Sequence, residues 1–113
     1  MPRLPKGLKT HQTKYYIPIL LALSRMGASK KVKVGDLYEP VRLIMQKEFR
    51  LLNKYDFEDL EDNNRPEPRW MNTMRVARDE MVKAGYLEPL SRVGHGYWKM
   101  TDHGRQYLKE AQD

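Results

Sequence analysis

Residues 69–76 carry side chains whose types and spacing fit the recognition of DNA bases. A helix of about 3.6 residues per turn places these side chains opposite, or on one flank of, the apolar stripe that begins at Trp70. Arginine can pair with guanine through two hydrogen bonds, asparagine can pair with adenine, and a threonine methyl group can contact thymine or a methylated base. The alternative is an ordinary solvated helix face. The base contacts predicted on this helix are Arg69, Asn72, Thr73, Arg75 and Val76.

A second candidate group follows this helix. Gly94 and Gly96 predict the tip of a β-hairpin, because glycine allows the tight turn and a close approach to a backbone or groove. The alternation after the tip predicts a strand in which Trp98 and Met100 face the core. This hairpin, the predicted wing, is expected to contact phosphate or the minor groove, although a solvated basic hairpin is the alternative. The contacts predicted on the wing are Arg92, His95, Tyr97 and Lys99.

Lysines outside these two groups are predicted to bind phosphates. The chain has 113 residues and a formal net charge of +6, which biases its surface toward an anionic partner. Residues 1–12 contain no acidic residue and are predicted to form a flexible basic arm, with a solvated tail as the alternative. A lysine-rich link follows the first predicted helix. The predicted phosphate contacts are Lys6, Lys9, Lys30, Lys31 and Lys33.

Catalytic signals are missing from the sequence. The absence of cysteine excludes disulfides, thiolate metal ligands and cysteine nucleophiles. The three histidines have no metal-ligand spacing, and no phosphate-binding glycine loop or serine-hydrolase motif occurs. The acidic run at 56–62 lacks the pattern of a nuclease centre or a calcium loop and is predicted to be a solvated loop. We therefore predict no enzymatic activity, no metal and no cofactor for these residues.

The predicted elements place all the candidate residues in one domain, residues 13–113. Helices are expected at 13–26, from 35 to 49 or 50, at 69–84 and from Thr101 onward, with a loop at 53–68 that leaves room for one short turn around Phe57–Leu60. Thr13 is the candidate N-cap of the first helix and Gly27 its stop, and Arg78 is expected to have a structural role on the third helix. The buried stripe expected on the second helix is Leu37, Val41, Ile44 and Met45. An edge strand at Leu87–Leu90 and the strand after the glycines complete the hairpin. This order predicts a mainly α fold with a small β-hairpin, a winged helix-turn-helix of three helices, a wing and a C-terminal helix. The longest apolar run is far too short to cross a bilayer, so a cytoplasmic location without membrane contact is expected.

Three segments resemble a known family. The sequences YYIPILLAL at 15–23, RWMNTMRVARDEMVKAGYL at 69–87 and GYWKMTDHG at 96–104 are similar to the N-terminal winged-helix domain of Mrr-type restriction proteins. The resemblance implies a domain that accompanies a nuclease domain or subunit and helps to recognise modified DNA. The nuclease half of that family is absent from these residues.

The function predicted from these observations is double-stranded DNA binding, with the domain reading a sequence or a methylated base for a restriction system. A transcriptional repressor is an alternative, which requires a dimer and a palindromic site. A protein-interaction winged helix without DNA contact is an alternative of another class, and it predicts an exposed apolar patch in place of a basic face.

Overall fold

Helices dominate the architecture because apolar residues recur at helical spacing in most of the long segments. A computed structural model of the chain describes residues 9–60 and 67–112. A single 3-10 turn, Gln12–Tyr15, leads into α1, Tyr16–Gly27, which is followed by β1, Val32–Lys33. Helix α2, Val34–Leu43, continues as a π-helical segment, Ile44–Glu48. The remaining elements are α3, Lys54–Phe57; α4, Arg69–Lys83; α5, Leu90–Val93; β2, Tyr97–Trp98; and α6, Asp102–Gln112.

The first helix begins differently from the prediction. Thr13 was expected to cap it, but the imidazole of His11 accepts the Thr13 backbone N–H and caps the preceding 3-10 turn. The predicted stop at Gly27 is confirmed, since Gly27 has a φ of +125°, a conformation that glycine adopts most easily. Thr10 is buried, so the end of the predicted basic arm is packed against the domain, whereas residues 1–8 lie outside the described residues.

The second helix has the predicted buried stripe, which consists of Leu37, Val41, Ile44 and Met45. Its last turn widens into the π-helical segment, which ends at Glu48, and Arg50, two residues later, has a φ of +54°. Such left-handed conformations are usual at helix ends, but glycine is the residue that adopts them without steric cost.

The acidic segment after this helix is not a solvated loop throughout, which corrects the prediction. Asn53 and Asp56 form a capping box around α3, in which each side chain bonds the other residue's backbone N–H. The Asp56 carboxylate is fully buried and accepts a hydrogen bond of 2.8 Å from the Thr10 backbone N–H. A buried charge requires such partners because desolvation without them is costly. Residues 61–66 of the predicted loop lie outside the described residues.

The third predicted helix is confirmed within one residue as α4. Its apolar stripe lies in the core, where Trp70, Met74, Ala77 and Met81 are each at most 2% exposed. The stripe fixes the rotation of α4 and therefore determines which of its side chains can face a partner.

The sheet differs from the predicted hairpin. Strand β2 pairs in antiparallel fashion with β1, with Val32 opposite Trp98 and Lys33 opposite Tyr97, whereas Leu87 forms only an isolated bridge with Met100. Residues 90–93, predicted as the end of one strand and the beginning of the hairpin tip, instead form the single helical turn α5. Pro89 precedes this turn, and its restricted φ of −68° suits the start of a helix better than a ladder position.

The final helix begins as predicted. The Thr101 hydroxyl accepts the Gly104 backbone N–H at 2.9 Å and so caps α6. A Cβ atom at Gly104 would lie only 2.2 Å from the carbonyl oxygen of Tyr86, so this glycine allows α6 to approach the end of α4. The described chain is thus mainly helical with one two-stranded antiparallel sheet, and α6 packs against α1.

Candidate nucleic-acid interface

Helix α4 presents a narrow outer face opposite its core stripe. Asn72 is partly exposed, Val76 is 40% exposed, and Asp79 and Lys83 are exposed. Asn72 and Val76 are one helical turn apart and therefore lie side by side on this face. Across residues 9–60 and 67–112, no hydrogen bond involves the Asn72 side-chain amide, so its donors and acceptor are uncommitted.

Thr73 points into the protein, which corrects its prediction as a base contact. The residue is 2% exposed, and its hydroxyl donates a hydrogen bond of 3.2 Å to the Arg69 carbonyl. It adjoins the buried Tyr15, whose pKa is raised by burial and by the nearby Asp56 carboxylate, while the Thr73 hydroxyl opposes the shift. The side chain is enclosed because the 3-10 turn before α1 packs along this flank of α4.

Arg75 is exposed in part but already engaged. Its guanidinium forms a two-bonded ion pair with Glu67, and one of its nitrogens lies 2.9 Å from the Tyr38 hydroxyl. The hydrogen bonds that Arg75 donates to Glu67 raise the pKa of Arg75 further, so the group is a fixed cation. An arginine held in this way must leave Glu67 before it can form two hydrogen bonds with guanine.

Two further arginines of α4, Arg69 and Arg78, contact aromatic rings of the elements that lie on its two flanks. On one flank, the Arg69 guanidinium lies 4.2 Å from the centre of the Tyr55 ring of α3. On the other flank, the Arg78 guanidinium lies 6.0 Å from the Trp98 ring of β2 and forms an ion pair of 2.8 Å with Asp79. Arg78 therefore has the structural role predicted for it, and the outer face of α4 lies between α3 and the sheet.

The outward face of the sheet carries a group of cations around an aromatic ring. Lys31 Nζ lies 4.7 Å from the centre of the Tyr97 ring, and Lys33 is directly opposite Tyr97 in the ladder. The inward face is apolar, with Val32, Trp98 and Met100 buried, and the alternation predicted this position for Trp98 and Met100. Side chains alternate along a strand, so the outward set is Lys31, Lys33, Tyr97 and Lys99.

The two residues predicted at the tip of the wing, Arg92 and His95, lie in different local structures. Arg92 lies in α5 and pairs with Glu88 at 3.6 Å, although its side chain remains 75% exposed. His95 is exposed between Gly94 and Gly96, which both have positive φ values. The Gly96 carbonyl accepts the Val34 backbone N–H at 2.8 Å and so connects this turn to the start of α2.

Arginine and lysine have different roles on this surface. Each of the six ion pairs between described residues uses an arginine, and none uses a lysine. The exposed lysines of the described residues are therefore available to an external anion, whereas most of the described arginines are already engaged in ion pairs. Of the predicted phosphate contacts, Lys6 lies outside the described residues. The other four are exposed: they are Lys9 and the three that lie beside the sheet, Lys30, Lys31 and Lys33. Among the described residues, exposed cations without an ion-pair partner that were not predicted as DNA contacts include Lys14, Lys47, Arg50, Lys54, Lys83 and Lys109.

Two further kinds of feature, a metal-binding group and a membrane span, are absent from the part of the chain that the structure describes. Over residues 9–60 and 67–112, no group of three or more histidines or carboxylates is placed to hold a metal ion. In the same ranges, no helix has the length and apolar character needed to span a membrane.

Comparison with known proteins gives one finding. The family model described as the Mrr N-terminal domain matches residues 13–110, nearly the whole chain. No curated protein and no solved structure matches significantly.

Proposed function

Because this chain belongs to the Mrr N-terminal domain family, we propose that it binds duplex DNA as a winged helix and reads a modified base for a restriction system. Its partners would be double-stranded DNA and a nuclease domain or subunit. The observation that carries the proposal is the outer face of α4, where the uncommitted Asn72 amide adjoins the exposed Val76 side chain.

The order of elements supports a winged helix. A strand between the first two helices pairs with the strand that follows α4, so the sheet lies beside the helix predicted to enter the groove. In DNA complexes of helix-turn-helix domains, the recognition helix reads base edges while neighbouring elements contact the backbone. The outward lysines of the sheet would supply the backbone contacts and Tyr97 would pack against the sugar-phosphate chain.

The chemistry of the outer face suits a base that carries a methyl group. An asparagine amide can both donate to and accept from adenine, and a branched apolar side chain can contact a methyl group in the major groove. Asn72 and Val76 combine these two functions within one helical turn. Arg75 would join them when it leaves Glu67, and Arg69 would remain on the flank against Tyr55.

The proposal is tested by titration of duplexes that are unmodified or carry N6-methyladenine, 5-methylcytosine or 5-hydroxymethylcytosine, at two salt concentrations. Binding should weaken by at least tenfold from low to physiological salt if about three phosphates are contacted. One modification should raise the affinity of the natural chain, and Asn72→Ala or Val76→Ala should reduce that gain by about tenfold, the value of one good base contact. Gln112→Ala, which removes an exposed amide from α6, is the matched control.

Two outcomes would contradict the proposal in different ways. Salt-dependent binding without preference for any modification would leave a DNA-binding domain that is not a reader of modified bases. Absence of binding to every duplex would favour the protein-interaction alternative. Against that alternative, the exposed large apolar side chains of the described residues are each only 37–40% exposed.

A further inference from the structure

Three segments that are distant in sequence meet at Thr10. The Thr10 backbone N–H donates to Asp56 Oδ1 at 2.8 Å, and its hydroxyl lies 2.7 Å from Asp56 Oδ2 and also contacts the Leu51 carbonyl. Thr10 is 8% exposed and Asp56 is fully buried. These bonds fix the chain around residues 9–10, 50–51 and 54–56 against one another.

An exposed cation adjoins each of these fixed positions. Lys9 precedes Thr10 and Arg50 precedes Leu51. Lys54 is the first residue of α3, two positions before Asp56. None of these three side chains has an ion-pair partner among the described residues. We call Lys9, Arg50 and Lys54 the α3 cation cluster.

The α3 cation cluster lies on the flank of α4 away from the sheet. Tyr55 of α3 packs against Arg69 on one flank, and Trp98 of β2 packs against Arg78 on the other. The outer face of α4 therefore runs between two sets of unpaired cations, and on the α3 side the exposed carboxylates of Glu58 and Asp59 stand next to the cations. One set is the α3 cation cluster, and the other is the set of outward lysines on the sheet.

We propose that the α3 cation cluster binds the sugar-phosphate backbone of the DNA strand across the groove from the strand that the sheet lysines contact. The inference rests on the proposed DNA binding and assigns a second phosphate-binding edge. The major groove is about 12 Å wide and a helix with its side chains is about 10–12 Å across, so phosphates of both strands border an inserted helix. Cations on both flanks are then each within reach of a different strand.

Arg50 provides a test in which a loss of DNA affinity is expected without a loss of stability. Its φ of +54° lies in the left-handed region, where glycine is accommodated without steric cost. Arg50→Gly should therefore leave the melting temperature unchanged or raised, while it removes one cation of the cluster. A purely structural role of Arg50 predicts a lowered melting temperature together with unchanged binding.

The experiment measures the affinity of an unmodified duplex as a function of salt for the natural chain, Arg50→Gly, Lys54→Gln and the double variant. Each single change should lower affinity about five- to tenfold at 0.1 M salt and reduce the slope of log affinity against log salt by about one. The double variant should show nearly the product of the two losses. Lys109→Gln is the matched control, because it removes an exposed cation from α6, which packs against α1.

The sheet edge provides a comparison for the α3 edge. Lys33→Gln should lower affinity by a similar factor, and its effect should multiply with that of Arg50→Gly because the two residues act as independent sites. If the natural chain binds with the expected salt dependence but the Arg50 and Lys54 variants behave like Lys109→Gln, the second edge is refuted and the proposed function stands. If the natural chain binds no duplex, both are refuted.

Discussion

Replacing Trp70 and Asn72 separately tests the rotation of α4, on which the proposed interface depends. Trp70 begins the buried stripe, is 2% exposed, and makes an edge-to-face contact with Tyr38 at a centroid distance of 5.9 Å. Asn72 lies on the outer face and has no hydrogen-bond partner in the described parts of the chain. The two substitutions to alanine should therefore have opposite consequences for stability and binding.

The expected loss for Trp70→Ala follows from its burial. A buried aromatic side chain of about 200 Å² contributes roughly 5 kcal/mol at about 25 cal/mol per Å². Truncation of such residues to alanine costs about 3–5 kcal/mol, because a cavity remains after partial relaxation. We expect about 4 kcal/mol for Trp70→Ala, which lowers the melting temperature of a domain of this size by about 15–25 °C.

Asn72→Ala should change the free energy of unfolding by less than about 0.5 kcal/mol, since the side chain makes no bond and alanine favours the helix. It should nevertheless weaken the preference for the modified duplex. Urea unfolding followed by circular dichroism gives both free energies, and Trp70→Phe serves as a control that retains a ring in the core. A loss of several kcal/mol for Asn72→Ala, together with tolerance of Trp70→Ala, would show that α4 is rotated and would refute the assignment of its outer face.

Three other changes test particular contacts. Glu67→Gln should raise duplex affinity several-fold, because it releases Arg75 and removes a negative charge near the groove; unchanged or weaker binding in a salt titration would contradict this. Gly104→Ala should destabilise the domain by about 1–3 kcal/mol in thermal unfolding, because the added Cβ would lie 2.2 Å from a backbone carbonyl oxygen. An unchanged stability would refute that close approach. The hydrogen bond from Tyr16 lowers the pKa of Glu80 below its ordinary 4.5, while desolvation raises the pKa of Tyr16 to about 12 from 10.0. The natural chain should therefore be more stable than Tyr16→Phe by a constant amount between about pH 5 and 9. This excess should shrink as pH falls below 4.5 and as pH rises above 10, which urea unfolding midpoints measured across pH would show. An excess that does not change with pH would show that the bond contributes nothing.

The apolar spacing of α4 was sufficient to predict its bounds and its core stripe, but not the surroundings of its flanks. Thr73 lies at the edge of the stripe by angle alone, and only the 3-10 turn that packs beside it decides that it is buried. That contact joins segments about sixty residues apart, and no local pattern reports it. The same holds for Arg75, whose availability depends on Glu67 and on Tyr38 from another helix.

Two elements that the prediction missed, α3 and β1, are indicated by local patterns in the sequence. The spacing of Asn53 and Asp56 is that of a capping box, which indicates a short helix where a solvated acidic loop was predicted. The alternation of lysine and valine over residues 31–34 indicates a strand, and β1 forms there. The buried bond between Asp56 and Thr10 had no such signal, because the two residues are 46 positions apart.

Under the proposed function, the division of roles between arginine and lysine would allow one small domain to bind DNA broadly and still discriminate. A guanidinium held by two hydrogen bonds to a carboxylate is fixed in place, and Arg75, held in this way by Glu67, also connects α4 to Tyr38 of α2. A lysine without a partner contributes the same attraction to any phosphate, so the unpaired lysines on both flanks of α4 would raise affinity for every sequence alike. Discrimination is then left to the few side chains of the outer face, Asn72 and Val76 first. Changes on the flanks should therefore alter the salt dependence, and changes on the outer face should alter the preference among duplexes.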